Sequence, residues 1–169
     1  GQALSYVAYL LPAILVGIIA YYFFKGHTAN EEGRRRYLIQ KEAQKNIIPI
    51  RLQAYERLTL FLERIDPSKL LIRVKPNSDN LQEYESLLIQ NIENEYEHNL
   101  AQQIYISPEC WNLIIAAKNA TMHIIRQSSM NEKVENANKL RESLLNYFIG
   151  EDTPSQKALA YVKKEVSEM

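Results

Sequence analysis

The sequence has 169 residues, of which 20 are basic and 20 are acidic, so its formal net charge at pH 7 is zero. This balance argues against nucleic acid as a main partner, because nucleic-acid-binding domains usually present a basic face. A single cysteine excludes a disulfide framework within the chain. The charges are unevenly distributed, since every one of them lies at Lys25 or beyond.

The first predicted element is an uncharged run of 21 residues, 4–24, with the sequence LSYVAYLLPAILVGIIAYYFF. About 20 apolar residues suffice for a helix to cross a bilayer. Aromatic residues lie near both ends of the run, as in the interfacial belts of membrane proteins. We therefore predict a transmembrane helix over 4–24. A cleaved secretory signal is the competing interpretation, and it fits less well because signals have a basic start and a shorter apolar core.

Basic residues follow the apolar run and predict its orientation. Lys25, Arg34, Arg35 and Arg36 lie on one side of it, whereas the three residues before it carry no charge. Positive flanks stay in the cytoplasm, so the soluble part is expected there, with a short N-terminus outside. Residues 25–49 are predicted to form a basic juxtamembrane helix. The arginine triplet also suits anionic lipid headgroups, although a topology signal is the favoured interpretation.

Three small residues mark one face of the predicted transmembrane helix. Ala13 and Gly17 are four residues apart, and Ala20 falls on nearly the same face. Small residues at this spacing let two membrane helices approach closely. The stretch contains no ionisable side chain, which argues against a proton relay or transporter core. We expect this face to mediate packing between transmembrane helices.

Residues 50–169 are predicted to form a helical, bundle-like soluble domain, because their apolar residues recur at helical spacing. The expected core positions, taken in chain order, are Ala54, Tyr55, Leu58, Phe61, Leu62, Ile65, Tyr84, Leu88, Ile92, Tyr96, Leu100, Trp111, Ile114, Ile115, Thr121, Met122, Ile125, Val134, Ala137, Leu140, Leu144, Phe148, Leu159, Val162 and Val166. The predicted class is therefore all-α.

Local signals place the ends of these helices. Pro49 is expected to kink or end the juxtamembrane helix, and Asp66-Pro67 to end the next one. Residues 70–76, LLIRVKP, are interpreted as an extended connector. Later helices are predicted over about 80–103, from Ser107-Pro108 onward, over about 132–149, and from 153. Ser107 is a typical N-cap before proline, and TPSQ at 153–156 matches a capping box.

The strongest candidate for a metal site is Glu95 with His98. This Glu-x-x-His spacing places both side chains on one helix face, as in di-iron carboxylate bundles. A complete site requires a second such pair and two further glutamates, and the sequence has no second pair. Glu93 and Glu97 alternate with Glu95, which favours a solvated acidic face. No metal or other cofactor is therefore predicted.

Cys110 lies in the first turn of the helix that begins after Ser107, where the helix dipole can lower a thiol pKa. A catalytic thiol also requires a histidine and an orienting group. His98 and His123 are available, but no local signature pairs either of them with Cys110. A structural cysteine is the favoured interpretation. No catalytic residue is predicted.

Three stretches resemble a family of short single-span proteins of the Bacteroidota: RLQAYERLTLFLERI (51–65), EYEHNLAQQIYIS (95–107) and KALAYVKKEV (157–166). The resemblance covers most of the chain, including the apolar run. It implies a Gram-negative inner membrane and a cytoplasmic helical domain. It implies no activity and no functional residues.

The sequence thus predicts a non-enzymatic, membrane-anchored interaction or scaffold protein of the inner membrane. The expected partners are membrane lipid and either other membrane subunits or further copies of the chain, with no small-molecule substrate. Two alternatives remain open: a metal-dependent or redox helical enzyme using Glu95 and His98, and a sensor of anionic lipid surfaces using the arginine triplet.

Overall fold

Six α-helices and one short 3₁₀ helix make up the chain in a computed structural model, which describes the backbone of residues 1–169 and the side chains of residues 1, 9–27 and 31–169. The helices are α1 (Gln2–Ile65), α2 (Pro67–Arg73), α3 (Leu81–Asn99), the 3₁₀ helix (Leu100–Ile104), α4 (Pro108–Ser129), α5 (Ala137–Tyr147) and α6 (Pro154–Ser167). The backbone described contains no β-strand. The predicted all-α class is confirmed.

Contacts divide the chain into two units, Gly1–Ile48 and Pro49–Met169. Apart from Gly1, the first unit is a stretch of α1, and its described large apolar side chains are exposed. By length and composition, α1 is the one helix among the described residues that is long and apolar enough to cross a membrane. None of its most apolar window is buried within the structure.

The second unit packs the last turns of α1 with α2 to α6 around one apolar core. Most of the predicted core positions are buried there, including all six from Ala54 to Ile65. Their spacing of three and four residues places them on one face of α1, which explains why periodicity identified them. Tyr96, Ile115, Phe148 and Val166 are only partly buried, and Leu100 is exposed.

Side-chain caps start the helices of the second unit. Ser107 accepts a hydrogen bond from the backbone N–H of Cys110, and Pro108 occupies the first turn of α4. Thr153 and Gln156 form the reciprocal capping box of α6. Both of these predicted starts are confirmed. Each cap satisfies a backbone donor that has no partner within its own helix.

Several predicted helix boundaries are wrong. Of the two outcomes expected at Pro49, an end of the helix is excluded, because α1 continues to Ile65. The side chains around Pro49 are exposed, so the backbone carbonyl that loses its partner there can turn to water. Residues 67–73 form α2 rather than an extended connector. The carboxylate of Asp66 caps this short helix, and Leu70 and Leu71 are buried in the core.

The helix predicted over about 80–103 is present as α3 and the 3₁₀ helix together, whereas α5 is shorter than predicted. α3 ends at Asn99, and the backbone tightens into the 3₁₀ helix up to Ile104. α5 begins at Ala137 rather than near 132, because Asn136 accepts a hydrogen bond from the N–H of Lys139 and caps it there. It ends at Tyr147. The residues before Asn136 are turns, and Val134 reaches the core from one of them.

Candidate functional sites

The Glu95 carboxylate is bound by an arginine. Arg64 of α1 donates from Nε to one oxygen of Glu95 at 2.7 Å, and its Nη2 lies 2.6 Å from the same oxygen in an ion pair. His98, one turn further along α3, is exposed. Among the described side chains, no three His, Cys, Asp or Glu residues lie close enough together to hold a metal ion. Glu95 thus joins α3 to α1 through an ion pair with Arg64.

Cys110 is buried at the start of α4, and its surroundings disfavour the thiolate. Burial, together with the nearby negative charge and hydrogen bonding of Glu165, raises the pKa of the Cys110 thiol to about 12. The expected lowering of this pKa by the helix dipole is therefore overridden. His123 follows three to four turns later on the same helix, about 20 Å along its axis, which is too far to activate the thiol.

The Glu165 carboxylate lies at the centre of a polar cluster, named here the Glu165 cluster, that joins three helices. One of its oxygens accepts from the Tyr55 hydroxyl of α1 and from the Ser107 N–H at 3.1 Å. Its other oxygen accepts from the Ser107 hydroxyl at 2.7 Å. A carboxylate at the N-terminus of α4 is also favoured by the helix dipole. Glu165 thereby links the last turns of α6 to the first turn of α4 and to α1.

The pKa values of this cluster follow from its geometry. Burial opposes ionisation of Glu165, but hydrogen bonds from Tyr55 and Ser107 outweigh it and lower the pKa of the carboxyl. Burial and the hydrogen bond to Glu165 raise the pKa of Tyr55 to about 12, against an opposing effect of Arg51. At neutral pH, Glu165 is therefore the anionic acceptor and Tyr55 a neutral donor. Arg51 donates to the Tyr55 hydroxyl at 3.2 Å and to the Tyr105 carbonyl at 2.9 Å.

A second polar cluster, the Asp66 cluster, closes the opposite end of the buried part of α1. The Asp66 side chain is 3% exposed and accepts from the Ser68 N–H at 3.1 Å and from the Ser68 hydroxyl. Its other oxygen accepts from the Thr153 hydroxyl at 2.5 Å and from the Ser155 hydroxyl at 3.0 Å. Asp66 thus caps α2 and holds the first turn of α6 at the same time.

A buried lysine connects α3 with α4. The Lys118 ammonium donates to both carboxylate oxygens of Glu93, at 2.9 and 3.1 Å, and lies 4.3 Å from the centre of the Tyr96 ring. Tyr96 in turn stacks on Trp111, with ring centres 5.7 Å apart. The lysine charge is therefore compensated by one carboxylate and one aromatic face.

These three arrangements were not recognised in the sequence. Asp66 carried a local signal, because an aspartate before proline is a typical N-cap. Glu165 and Lys118 carried none, since their partners lie 58 and 25 residues away. In the described part of the chain, no buried side-chain nitrogen or oxygen lacks a hydrogen-bond partner. The buried polar atoms described in the second unit are thus all satisfied by contacts within it.

The predicted packing and lipid residues lie in the first unit. Ala13 and Gly17 are exposed and Ala20 is half-buried, and a Cβ built on Gly17 meets nothing within 4 Å. Arg34, Arg35 and Arg36 are exposed as well. Both roles remain predictions.

Comparisons with known proteins give one result. Neither the curated proteins nor the solved structures yield a match. A family profile does match, and it covers residues 1–169. The chain therefore belongs to a family of unknown function, DUF7935.

Proposed function

We propose that this chain is a non-enzymatic membrane-anchored protein whose second unit docks a partner or further copies of itself. One observation carries the proposal: none of the residues in the most apolar window of α1 is buried. Its exposed side chains include Ile14, Leu15 and Val16, each more than half exposed. Apolar surface in water costs about 25 cal/mol per Å², and a bilayer would remove that cost.

The distribution of charge supports a cytoplasmic location for the second unit. Residues 25–48 hold six Lys or Arg and three Glu, whereas residues 1–24 hold no charge. The positive-inside rule then favours the cytoplasm for the side of the membrane that adjoins Lys25. The resemblance to single-span Bacteroidota proteins supports the same arrangement in a Gram-negative inner membrane.

The polar clusters of the second unit support a binding role over catalysis. Cys110 is buried with a raised thiol pKa, and Glu95 is paired with Arg64. Active sites instead keep titratable groups accessible in a cleft, with a pKa suited to proton transfer or attack. No observation favours the alternative of a metal-dependent enzyme at Glu95 and His98.

The face formed by Ala13, Gly17 and Ala20 suits close packing of two anchors, because small side chains let helix backbones approach. We expect Gly17→Ile to weaken self-association in detergent, and Val16→Ile to leave it unchanged as a control on a neighbouring face. Equal crosslinking yields for both variants would remove this face from the proposal.

The mass and composition of the detergent-solubilised native particle test the proposal as a whole. Several copies of this chain alone would identify a self-assembling scaffold, and other polypeptides in fixed ratio would identify a subunit of a complex. A monomer that gives no crosslinked adduct in cells would contradict both. Release of the chain from membranes by alkaline carbonate would contradict the anchor itself.

A further inference from the structure

We propose that Arg34, Arg35 and Arg36 hold anionic phospholipids by electrostatic attraction in the leaflet that adjoins Phe24. This inference rests on the proposed membrane crossing and adds a ligand to it. The binding surface, called here the arginine collar, consists of these three side chains; Lys25, whose ammonium lies 5.8 Å from the centre of the Tyr21 ring, is not part of it. Lys41 and Lys45, which are also exposed and basic, are excluded from it for the geometric reason given below.

Distance along the helix separates the two groups of basic residues. Helix α1 is continuous from Phe24 through Lys45. At 1.5 Å per residue, Arg34 to Arg36 lie about 15 to 18 Å beyond Phe24, and Lys41 and Lys45 about 26 and 32 Å beyond it. Each headgroup layer is about 5 to 7 Å thick, which is half the difference between the thickness of the full bilayer and that of its hydrocarbon core.

Side-chain direction brings the arginine collar closer to the lipid. Every Cα–Cβ bond in an α-helix tilts toward the N-terminus, which for α1 is the end that holds the apolar run. An arginine stem reaching back by about 6 Å places the three guanidinium groups about 2 to 7 Å from the headgroup layer. That gap is shorter than the Debye length of about 8 Å at physiological ionic strength. The two lysines remain well beyond that length.

The three guanidinium groups are available for a ligand. Glu31 and Glu32 lie one turn before Arg35 and Arg36, at the spacing that favours ion pairs on a helix. No ion pair nevertheless joins them among the side chains described. The arginines therefore keep their positive charge without an acidic partner, and this charge attracts anionic lipid across a gap shorter than the Debye length.

Glu31 and Glu32 provide a test in which lipid binding should change in the opposite direction. They lie nearer to the headgroups than the arginines do, so they repel anionic lipid and reduce the net attraction. Removing the arginines must therefore weaken binding, and removing the glutamates must strengthen it. Each basic residue near an anionic surface contributes about 1 kcal/mol, or roughly fivefold.

The experiment uses the full chain in nanodiscs of phosphatidylethanolamine and phosphatidylglycerol, with native mass spectrometry of the lipids that stay bound. The Arg34→Gln/Arg35→Gln/Arg36→Gln variant should retain at least about fivefold less phosphatidylglycerol than the wild type. The matched control Lys41→Gln/Lys45→Gln should retain the wild-type amount. Glu31→Gln/Glu32→Gln should retain more, and raised salt should reduce the differences.

The outcomes separate this inference from the proposed function. Equal retention by the arginine variant and the wild type, or an equal loss in the lysine control, would overturn the arginine collar while leaving the anchor in place. Failure of the wild-type chain to enter nanodiscs would overturn the anchor, and the arginine collar with it.

Discussion

Replacing Glu165 by glutamine is expected to destabilise the second unit, because it removes the charge from an acceptor shared by two helices. The wild-type carboxylate accepts three hydrogen bonds, one from Tyr55 and two from Ser107. Glutamine has nearly the same shape and keeps one acceptor oxygen. It places an NH₂ group where the second oxygen accepted from the Ser107 hydroxyl. The substitution thus tests charge and polarity with little change of volume.

The magnitude follows from the number and type of these hydrogen bonds. A hydrogen bond to a charged group contributes about 1.5–3 kcal/mol, and one between neutral groups about 0.5–1.5 kcal/mol. Losing the charge therefore costs about 1 kcal/mol per bond, or about 3 kcal/mol for three bonds. Glu165 is only partly buried, so water compensates for some of this loss. We expect about 2 kcal/mol, which corresponds to a fall of about 8 °C in Tm.

Fluorescence of Trp111, the single tryptophan of the chain, reports unfolding of this region because the residue follows Cys110 in α4. The full chain in detergent can therefore be melted with a probe located in the second unit. Glu168→Gln is the matched control. The Glu168 side chain is exposed, and its charged contact is an exposed ion pair in which its carboxylate oxygen lies 3.9 Å from Lys164 Nζ. If the Glu165→Gln variant has the same Tm at pH 7 as the Glu168→Gln control, the stabilising role of the Glu165 cluster is refuted.

The pH dependence of the same pair of proteins gives a second test. The pKa of Glu165 is lower in the folded chain than its ordinary value of 4.5. Its contribution to stability is therefore fully present above about 4.5 and is lost as the pH falls through the folded pKa. The difference in Tm between wild type and Glu165→Gln should shrink below pH 4, because a protonated carboxyl resembles an amide. A difference that is unchanged at pH 3 would contradict this.

Two further predictions concern the other buried polar groups. Asp66→Ala should lower the free energy of unfolding by about 3–4 kcal/mol, since it removes the acceptor of the buried Thr153 and Ser155 hydroxyl groups. Urea titration followed by Trp111 fluorescence measures this loss. A loss below about 1 kcal/mol would show that the two hydroxyl groups find other partners. Cys110 should react with a thiol reagent at pH 8 only on unfolding, because its thiol pKa is about 12 and its side chain is 1% exposed; labelling in the native state as fast as in urea would contradict its burial.

Local chemistry explains why much of the fold was predictable. The N-caps at Ser107 and Thr153 act on backbone groups three residues away, so their effect is visible in a few letters of sequence. Helical periodicity likewise identified the apolar face of α1 from Ala54 to Ile65. The extended connector predicted at 70–76 is wrong because its prediction rests on the flanking prolines alone. Residues 67–73 are helical because Asp66 caps them and because Leu70 and Leu71 pack into the core.

The candidate sites are less predictable than the fold, because the role of each residue depends on partners that are distant in the sequence. Glu95 had the spacing of a metal ligand, but Arg64 of α1 binds its carboxylate. Cys110 had the position of an activated thiol, but Glu165 of α6 lies beside it and burial excludes water. Helix spacing shows which side chains share a face, and it does not show which charges face them across the core.

The sequence by itself determined the all-α class, the apolar run at 4–24 and the boundary at Lys25 beyond which charges begin, because each depends on composition and on spacing within one helix. Only the tertiary structure decided that Asp66 accepts a hydrogen bond from Thr153 and that Glu165 accepts one from Ser107. Those pairs are separated by 87 and 58 residues, and folding alone brings them together when the helices bury their shared apolar faces.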